Sequence, residues 1–268
     1  MQSRSDSNLW GIDVSHYQGD IDWKQVKDAG VVFAFVKATE GVGITDGKFR
    51  RNSGGANAVG LAVGYYHYAH PELNNAQDEV NAFLEVVKDQ PCQMPYVLDL
   101  EGAAGNLDRF TLTQWAVTWL QEVKRITGKH VMLYTGAYFA RDNVNTEMGE
   151  FPLWIAHYGT DTPLANSTWD RWSVFQVSSG GGCPGINGLV DTNLMEADFY
   201  WQVTQTPQPV EPPAEQPNTT NPYMSPEYAN YIIDRWISHD YEFASQEDQD
   251  RRHFLANQLR LVSGQPEQ

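Results

Sequence analysis

Two carboxylates at the end of a short apolar run are the residues best placed to do chemistry. The run is Pro95-Tyr96-Val97-Leu98-Asp99-Leu100-Glu101-Gly102, and it reads as a buried strand. Side chains alternate along a strand, so Asp99 and Glu101 point one way with Val97 behind them, while Leu98 and Leu100 point the other way. The two acidic Cα atoms should lie ~6.5–7 Å apart. Acids that close resist double ionisation, so one of them tends to hold a proton near neutral pH. A proton donor beside a carboxylate is what cleavage of an acetal or glycoside uses. The pair also fits a plainer role, because acids that follow a strand stabilise the N-terminus of the next helix.

Two further acids occupy comparable places. Asp13 closes the segment Leu9-Trp10-Gly11-Ile12-Asp13, and Asp191 closes Gly188-Leu189-Val190-Asp191. In a parallel barrel, functional groups sit at the C-terminal ends of the strands. Barrel closure sets the first and last strands side by side. Asp13, Asp99, Glu101 and Asp191 are therefore expected to share one groove, although loops on both sides of Asp191 leave the direction of its strand open. Tyr66, Tyr134 and Trp154, near strand ends, could stack on sugar rings or simply fill the core. His16 and His67 could move protons or serve as hydrogen-bonded structural residues. There is no nucleophile elbow, and Gly54-Gly55 and Gly180-Gly181-Gly182 match no phosphate loop and read as flexible turns.

The elements that must position these groups alternate. Val31–Lys37 is a nearly continuous apolar run, as expected of a strand covered on both faces, and Ala62–Tyr68 is another strand. Helical patterns intervene: Asp22 can cap a helix in which Trp23 and Val26 share a face, and segments from about Asp46 to Val59 and from Asn74 to Lys88 follow. Thr111–Thr127 carries Trp115, Trp119, Val123 and Ile126 on one side, with Gly128 behind it. Val131–Gly136 is a fifth strand. Strand–helix alternation signals a parallel sheet wrapped by helices. The rhythm then changes, and Leu153–Tyr158, Trp172–Val177 and Gly188–Asp191 read as strands joined by loops.

Residues 1–204 thus form one large domain. Residues 205–222, rich in Pro, read as a semi-extended linker. Residues 223–268 carry two helical patterns, a hairpin too small to be very stable alone. That hairpin is expected to dock on the barrel, on a copy of itself or on a ligand.

Composition narrows the partners. The 268 residues are 41% hydrophobic and 19% charged, which is a globular balance. A formal charge of −16 argues against nucleic acid or an anionic membrane as partner. Cys92 and Cys183 are the two cysteines, and neither they nor the histidines show metal-ligand spacing, so no metal and no cofactor is expected. No segment is apolar for long enough to span a membrane. The start, Met1-Gln2-Ser3-Arg4-Ser5-Asp6, has no apolar stretch of the signal-peptide kind, so the chain is expected to stay in the cytoplasm until something releases it.

Specific motifs add a resemblance. Gly11-Ile12-Asp13-Val14-Ser15-His16-Tyr17-Gln18-Gly19, Ile21-Asp22-Trp23 and Lys37-Ala38-Thr39-Glu40-Gly41 closely resemble glycoside hydrolase family 25, the Chalaropsis-type lysozymes, many of them phage endolysins. Asp46 with Phe49 and Asn52, Gly64–Tyr68, Asp99-Leu100-Glu101, Leu133–Gly136, Leu153–Tyr158 and Val190-Asp191 continue it to about residue 200. The resemblance implies an α/β fold, a flattened barrel of eight strands with helices after the first five. It implies hydrolysis of the β-1,4 bond from N-acetylmuramic acid to N-acetylglucosamine in peptidoglycan. It makes Glu101 the general acid and Asp99 its partner, with Asp13 and Asp191 shaping the charge and Tyr66, Tyr134, Trp154 and Glu40 binding substrate. The alternatives are a non-catalytic wall-binding or virion module on the same barrel, or a chitin-type glycosidase. Chitinase-like barrels carry further Asp residues two and five positions before the Asp of such a pair, where this chain has Val97 and Met94.

Overall fold

The protein was described from a computed structural model covering residues 1–204 and isolated positions between 226 and 265. The chain divides into two units, Met1–Pro209 and Val210–Gln268. The expected linker, 205–222, and most of the expected hairpin lie outside the described residues. Within the second unit the described positions are largely helical, with Ala229, Ile233 and Ala256 buried.

The first unit alternates as its pattern predicts. In order come β1 (Leu9–Val14), α1 (Trp23–Asp28), β2 (Phe33–Glu40), β3 (Ile44–Thr45), α2 (Phe49–Ala58), β4 (Ala62–Tyr68) and α3 (Ala76–Val87). Then come β5 (Tyr96–Asp99), α4 (Arg109–Thr127), β6 (Val131–Gly136), α5 (Ala137–Asn143), β7 (Leu153–Ala156), β8 (Val174–Gly181), β9 (Val190–Met195) and α6 (Ala197–Thr204). Asp22 caps α1 through the Gln25 amide, and Asp108 caps α4 by accepting from the amides of Phe110 and Thr111. Gly128 ends α4 at φ 65°, a left-handed conformation that glycine adopts without strain.

The sheet runs β1-β9-β8-β7-β6-β5-β4-β2-β3, and β1 also pairs with β2. That second pairing closes an eight-strand barrel, leaving β3 as a two-residue flap on β2. The eight barrel strands are parallel except for β9, which is antiparallel to both of its neighbours. The five helices α1–α5 follow the first five barrel strands, and β7, β8 and β9 are joined without one. Three features depart from the sequence reading. Gly180 and Gly181 belong to β8, with Gly181 opposite Val190, rather than to a turn. Ile126, expected on the buried face of α4, is 47% exposed, and Leu112, Ala116 and Leu120 fill that face beside Trp119. Helix α6 had no clear periodic signal, because its aromatics Phe199, Tyr200 and Trp201 are consecutive.

Two apolar layers hold the barrel. The outer one packs helices on the sheet, for example Trp119, Leu120 and Phe83 against Leu98 and Leu133. The inner one fills the lumen with Phe33, Phe35, Val97, Met132 and Val174, and Val203 of α6 joins it. Phe33 and Phe35 fit because glycines face them: a Cβ on Gly11 would strike the Phe33 ring, and one on Gly64 the Phe35 ring. Inward residues turn polar toward one end of the barrel. Phe33 and Phe35 give way to Lys37, Val97 to Asp99, Met132 to Tyr134 and Val174 to Gln176. The site lies at that polar mouth.

Candidate active site

An open cleft of about 220 Å³ occupies the mouth, and Asp13, Asp99, Glu101 and Asp191 all line it. Each arrives by a short physical route. Asp99 is the last residue of β5, on the face that Val97 shares. Glu101 lies two residues on, still extended at φ −155° and ψ −170°. It occupies the N-cap position of a 3-10 turn, Gly102–Asn106, yet its side chain makes no capping hydrogen bond. The helix-cap reading of this acid therefore does not hold. Asp13 and Asp191 are Cα partners across β1 and β9, and Asp191 reaches the mouth because its strand begins there and runs antiparallel.

Asp13 is buried and well ordered by donors. Its Oδ2 accepts from Gln176 Nε2 at 2.9 Å and from Asn193 Nδ2 at 2.8 Å. Burial, then repulsion from Asp191, holds its pKa well above the usual carboxylate range. Asp191 is raised as well, chiefly by burial, while its interaction with Asp13 opposes the shift.

The Asp99–Glu101 pair behaves similarly. Burial and the neighbouring Glu101 push Asp99 well up. Glu101 is also raised, first by burial and further by Asp191, while the Lys37 ammonium opposes the shift. Among the described residues, Asp99 Oδ1 is buried without a hydrogen-bond partner. A buried carboxyl oxygen left so is costly unless a ligand supplies a donor. Glu101 is the more open of the two, as a proton donor to an incoming oxygen must be.

Aromatic groups form the floor and wall. Trp154 is only 2% exposed, stacks on Phe35 with centroids 4.6 Å apart, and donates from Nε1 to Asn193 Oδ1 at 2.8 Å. It is a floor element held by the core. Tyr134 donates to Gln176 Oε1 at 2.9 Å, and Tyr158 donates to the same oxygen at 2.7 Å. Tyr66 also lines the cleft, its phenol kept neutral by burial and by the surrounding acids. Glu40 takes another position: it accepts from Lys37, its other oxygen meets His70, and it is not among the described lining residues. His67 is buried between Thr39 and Glu79, and His16 binds Asp46 away from the acids. Gln176, Asn193, Lys37, Tyr68 and Tyr158 escaped the sequence reading. The alternation of β8 and β9 could have placed Gln176 and Asn193 inward, had those strands been drawn to their full length.

Residues 12–186 match the family model described as "Glycosyl hydrolases family 25". The chain belongs to glycosyl hydrolase family 25. It is similar to lysozyme M1 of Streptomyces globisporus, 33% identical over 199 residues that cover 70% of this chain and 67% of that one. It is also similar to the uncharacterized protein YegX of Escherichia coli K12, 38% identical over 191 residues, 69% of either chain. Among solved structures, the bacterial lysozyme from Streptomyces coelicolor matches with a TM-score of 0.66 at 30% identity, covering 76% of this chain and 100% of that one. Membership in the family agrees with the closed eight-strand barrel.

Proposed function

We propose that Glu101 is the general acid of a peptidoglycan-hydrolysing N-acetylmuramidase, with Asp99 as its assisting carboxylate. The observation that carries the assignment is the arrangement of this pair: a half-open carboxyl beside a buried carboxyl with one oxygen free to accept. Glu101 protonates the glycosidic oxygen as the bond to the leaving sugar breaks. Positive charge then grows on the sugar being cleaved, which is the muramic acid. Asp99 Oδ1 accepts the N–H of that sugar's acetamido group and steadies its carbonyl oxygen for attack at the anomeric carbon. Water then completes the hydrolysis with Glu101, now ionised, as base. Asp13 and Asp191 add negative charge to the cleft that favours the cationic transition state. Tyr66, Tyr134 and Trp154 shape the floor beneath the sugar.

Glu101→Gln is the direct test. The variant is expected to fold and to lose nearly all turnover on purified cell walls, and near-normal clearing would refute the assignment. Mass spectrometry of the digest should find reducing ends on muramic acid, and release from chitin should be far slower than release from peptidoglycan. For residues 223–268 the proposed role is dimerisation, with wall attachment second. A chain ending at Thr204 should lyse walls but run at monomer size, while unchanged sizing and weaker wall pull-down would favour attachment.

A further inference from the structure

Among the described residues lining the cleft, Lys37 is the one basic side chain amid four carboxyls. Its placement depends on an irregularity in β2. Residues three apart in a regular strand face opposite sides. Here Lys37 pairs with Tyr66, Thr39 with His67 and Glu40 with Tyr68, so that Ala38 is an extra residue. Such bulges re-aim side chains. This one brings Lys37 and Glu40 onto the inner face together and turns Thr39 outward, where its Oγ1 lies 2.8 Å from His67 Nδ1.

The inner pair is then tied down. Lys37 Nζ donates to Glu40 Oε2 at 2.6 Å and stands 5.1 Å from the Tyr68 ring centroid. Glu40 Oε1 lies 3.1 Å from His70 Nε2, and His70 Nδ1 lies 2.8 Å from Glu72 Oε1. The His70 backbone N–H donates to the buried Glu79 carboxylate. A string of ionisable groups therefore runs from the cleft to the base of α3.

We infer that Lys37 is a positioning cation whose ammonium, held by Glu40 and His70, offsets the negative charge that the Asp99–Glu101 pair carries at the cleft. An ammonium beside a buried carboxyl offsets its lost hydration. It acts on both carboxyls, so it sets the pH range over which the pair holds a single proton. Glu40, in contact with the ammonium, moderates its field. The inference rests on the reading of Glu101 as the acid. The other charged groups around the pair are Asp13 on β1 and Asp191 on β9. The phenols of Tyr66, Tyr68, Tyr134 and Tyr158 complete the surroundings. All of these stay in the variants below.

The test is the pH–rate profile of wall lysis by the full chain and three variants. Lys37→Met removes the cation and should move both limbs to higher pH. Glu40→Gln leaves the ammonium uncompensated and should move both limbs to lower pH. Lys37→Arg keeps the charge and should restore the wild-type limbs. Limbs that stay put while the rate falls, or that move the same way in Lys37→Met and Glu40→Gln, would overturn the inference. If Lys37→Met fails to fold, Glu40→Gln alone decides by moving down or not. A Glu101→Gln enzyme that still turns over would instead fault the acid assignment, whatever the limbs of the other variants do.

Discussion

Asp13 and Asp191 face each other as Cα partners on antiparallel neighbours, and burial together with the neighbouring Asp191 raises the Asp13 pKa. Because its pKa is raised, native Asp13 stays protonated to higher pH than it does in the unfolded chain. The native state thus binds more protons, and its stability falls as pH rises above the ordinary carboxylate value, about 4, toward the raised one. Asp13→Asn keeps an acceptor for Gln176 and Asn193 and a donor for Asp191 without that penalty. Its melting temperature should exceed that of the wild type near neutral pH, at roughly 2–4 °C per kcal/mol recovered, and match it near pH 4. Thermal unfolding at both pH values checks this, and an equal change at both would contradict it.

Gln176 joins two phenols to Asp13. Gln176→Glu would place a third carboxyl against the Asp13–Asp191 pair. The added group can share this space only when protonated, so activity should fall more at neutral than at mildly acidic pH. The ratio of kcat/KM between wild type and variant, followed across pH, should shrink as the medium is acidified. Gln176→Leu has no such titration and should lower activity evenly, at a stability cost of about 1–3 kcal/mol for unpartnered polar groups.

Glu79 is fully buried and meets three donors: His67 Nε2 at 2.7 Å, Asn74 Nδ2 at 2.8 Å and the His70 amide, which reaches its two oxygens at 3.1 and 3.2 Å. Burial lowers the His67 pKa, so the ring is neutral and donates from Nε2 while Nδ1 accepts from Thr39. Glu79→Ala should cost about 1–3 kcal/mol for each buried donor left without a partner. Denaturant unfolding measures it. His67→Gln should be milder, because an amide can still meet Glu79.

Gly11→Ala or Gly64→Ala would drive a methyl group into the Phe33 or Phe35 ring. Overpacking of this kind costs about 1–3 kcal/mol. Pairing Gly64→Ala with Phe35→Leu should recover part of the loss, as seen by thermal unfolding of the two single variants and the double.

The alternation from Leu9 to Gly136 was legible because buried parallel strands are short apolar runs and the helices between them carry caps such as Asp22 and Gly128. The four acids were legible for a related reason: Asp13, Asp99 and Glu101 break apolar runs near strand ends, and Asp191 follows Val190 where β9 begins. Gln176 and Asn193 were not, since a neutral amide in a polar stretch has no distinguishing pattern until the strand register is known. The bulge at Ala38 was equally hidden. Glu40 follows Lys37 by three, and strict alternation sets those two apart, whereas one inserted residue brings them together. Trp154 was visible as an aromatic at a strand end, but only packing shows that Phe35 and Asn193 hold it in the floor.

The seam between β1 and β9 joins residues made at opposite ends of synthesis, since Asp13 and Asn193 are 180 positions apart and share a hydrogen bond. A ribosome that stalls before β9, or a protease that removes it, leaves Asp13 without its acidic neighbour and the wall of the cleft missing. Lytic capacity should therefore appear all at once, when the final strand zips in, and partial products should be harmless to any cell wall they meet.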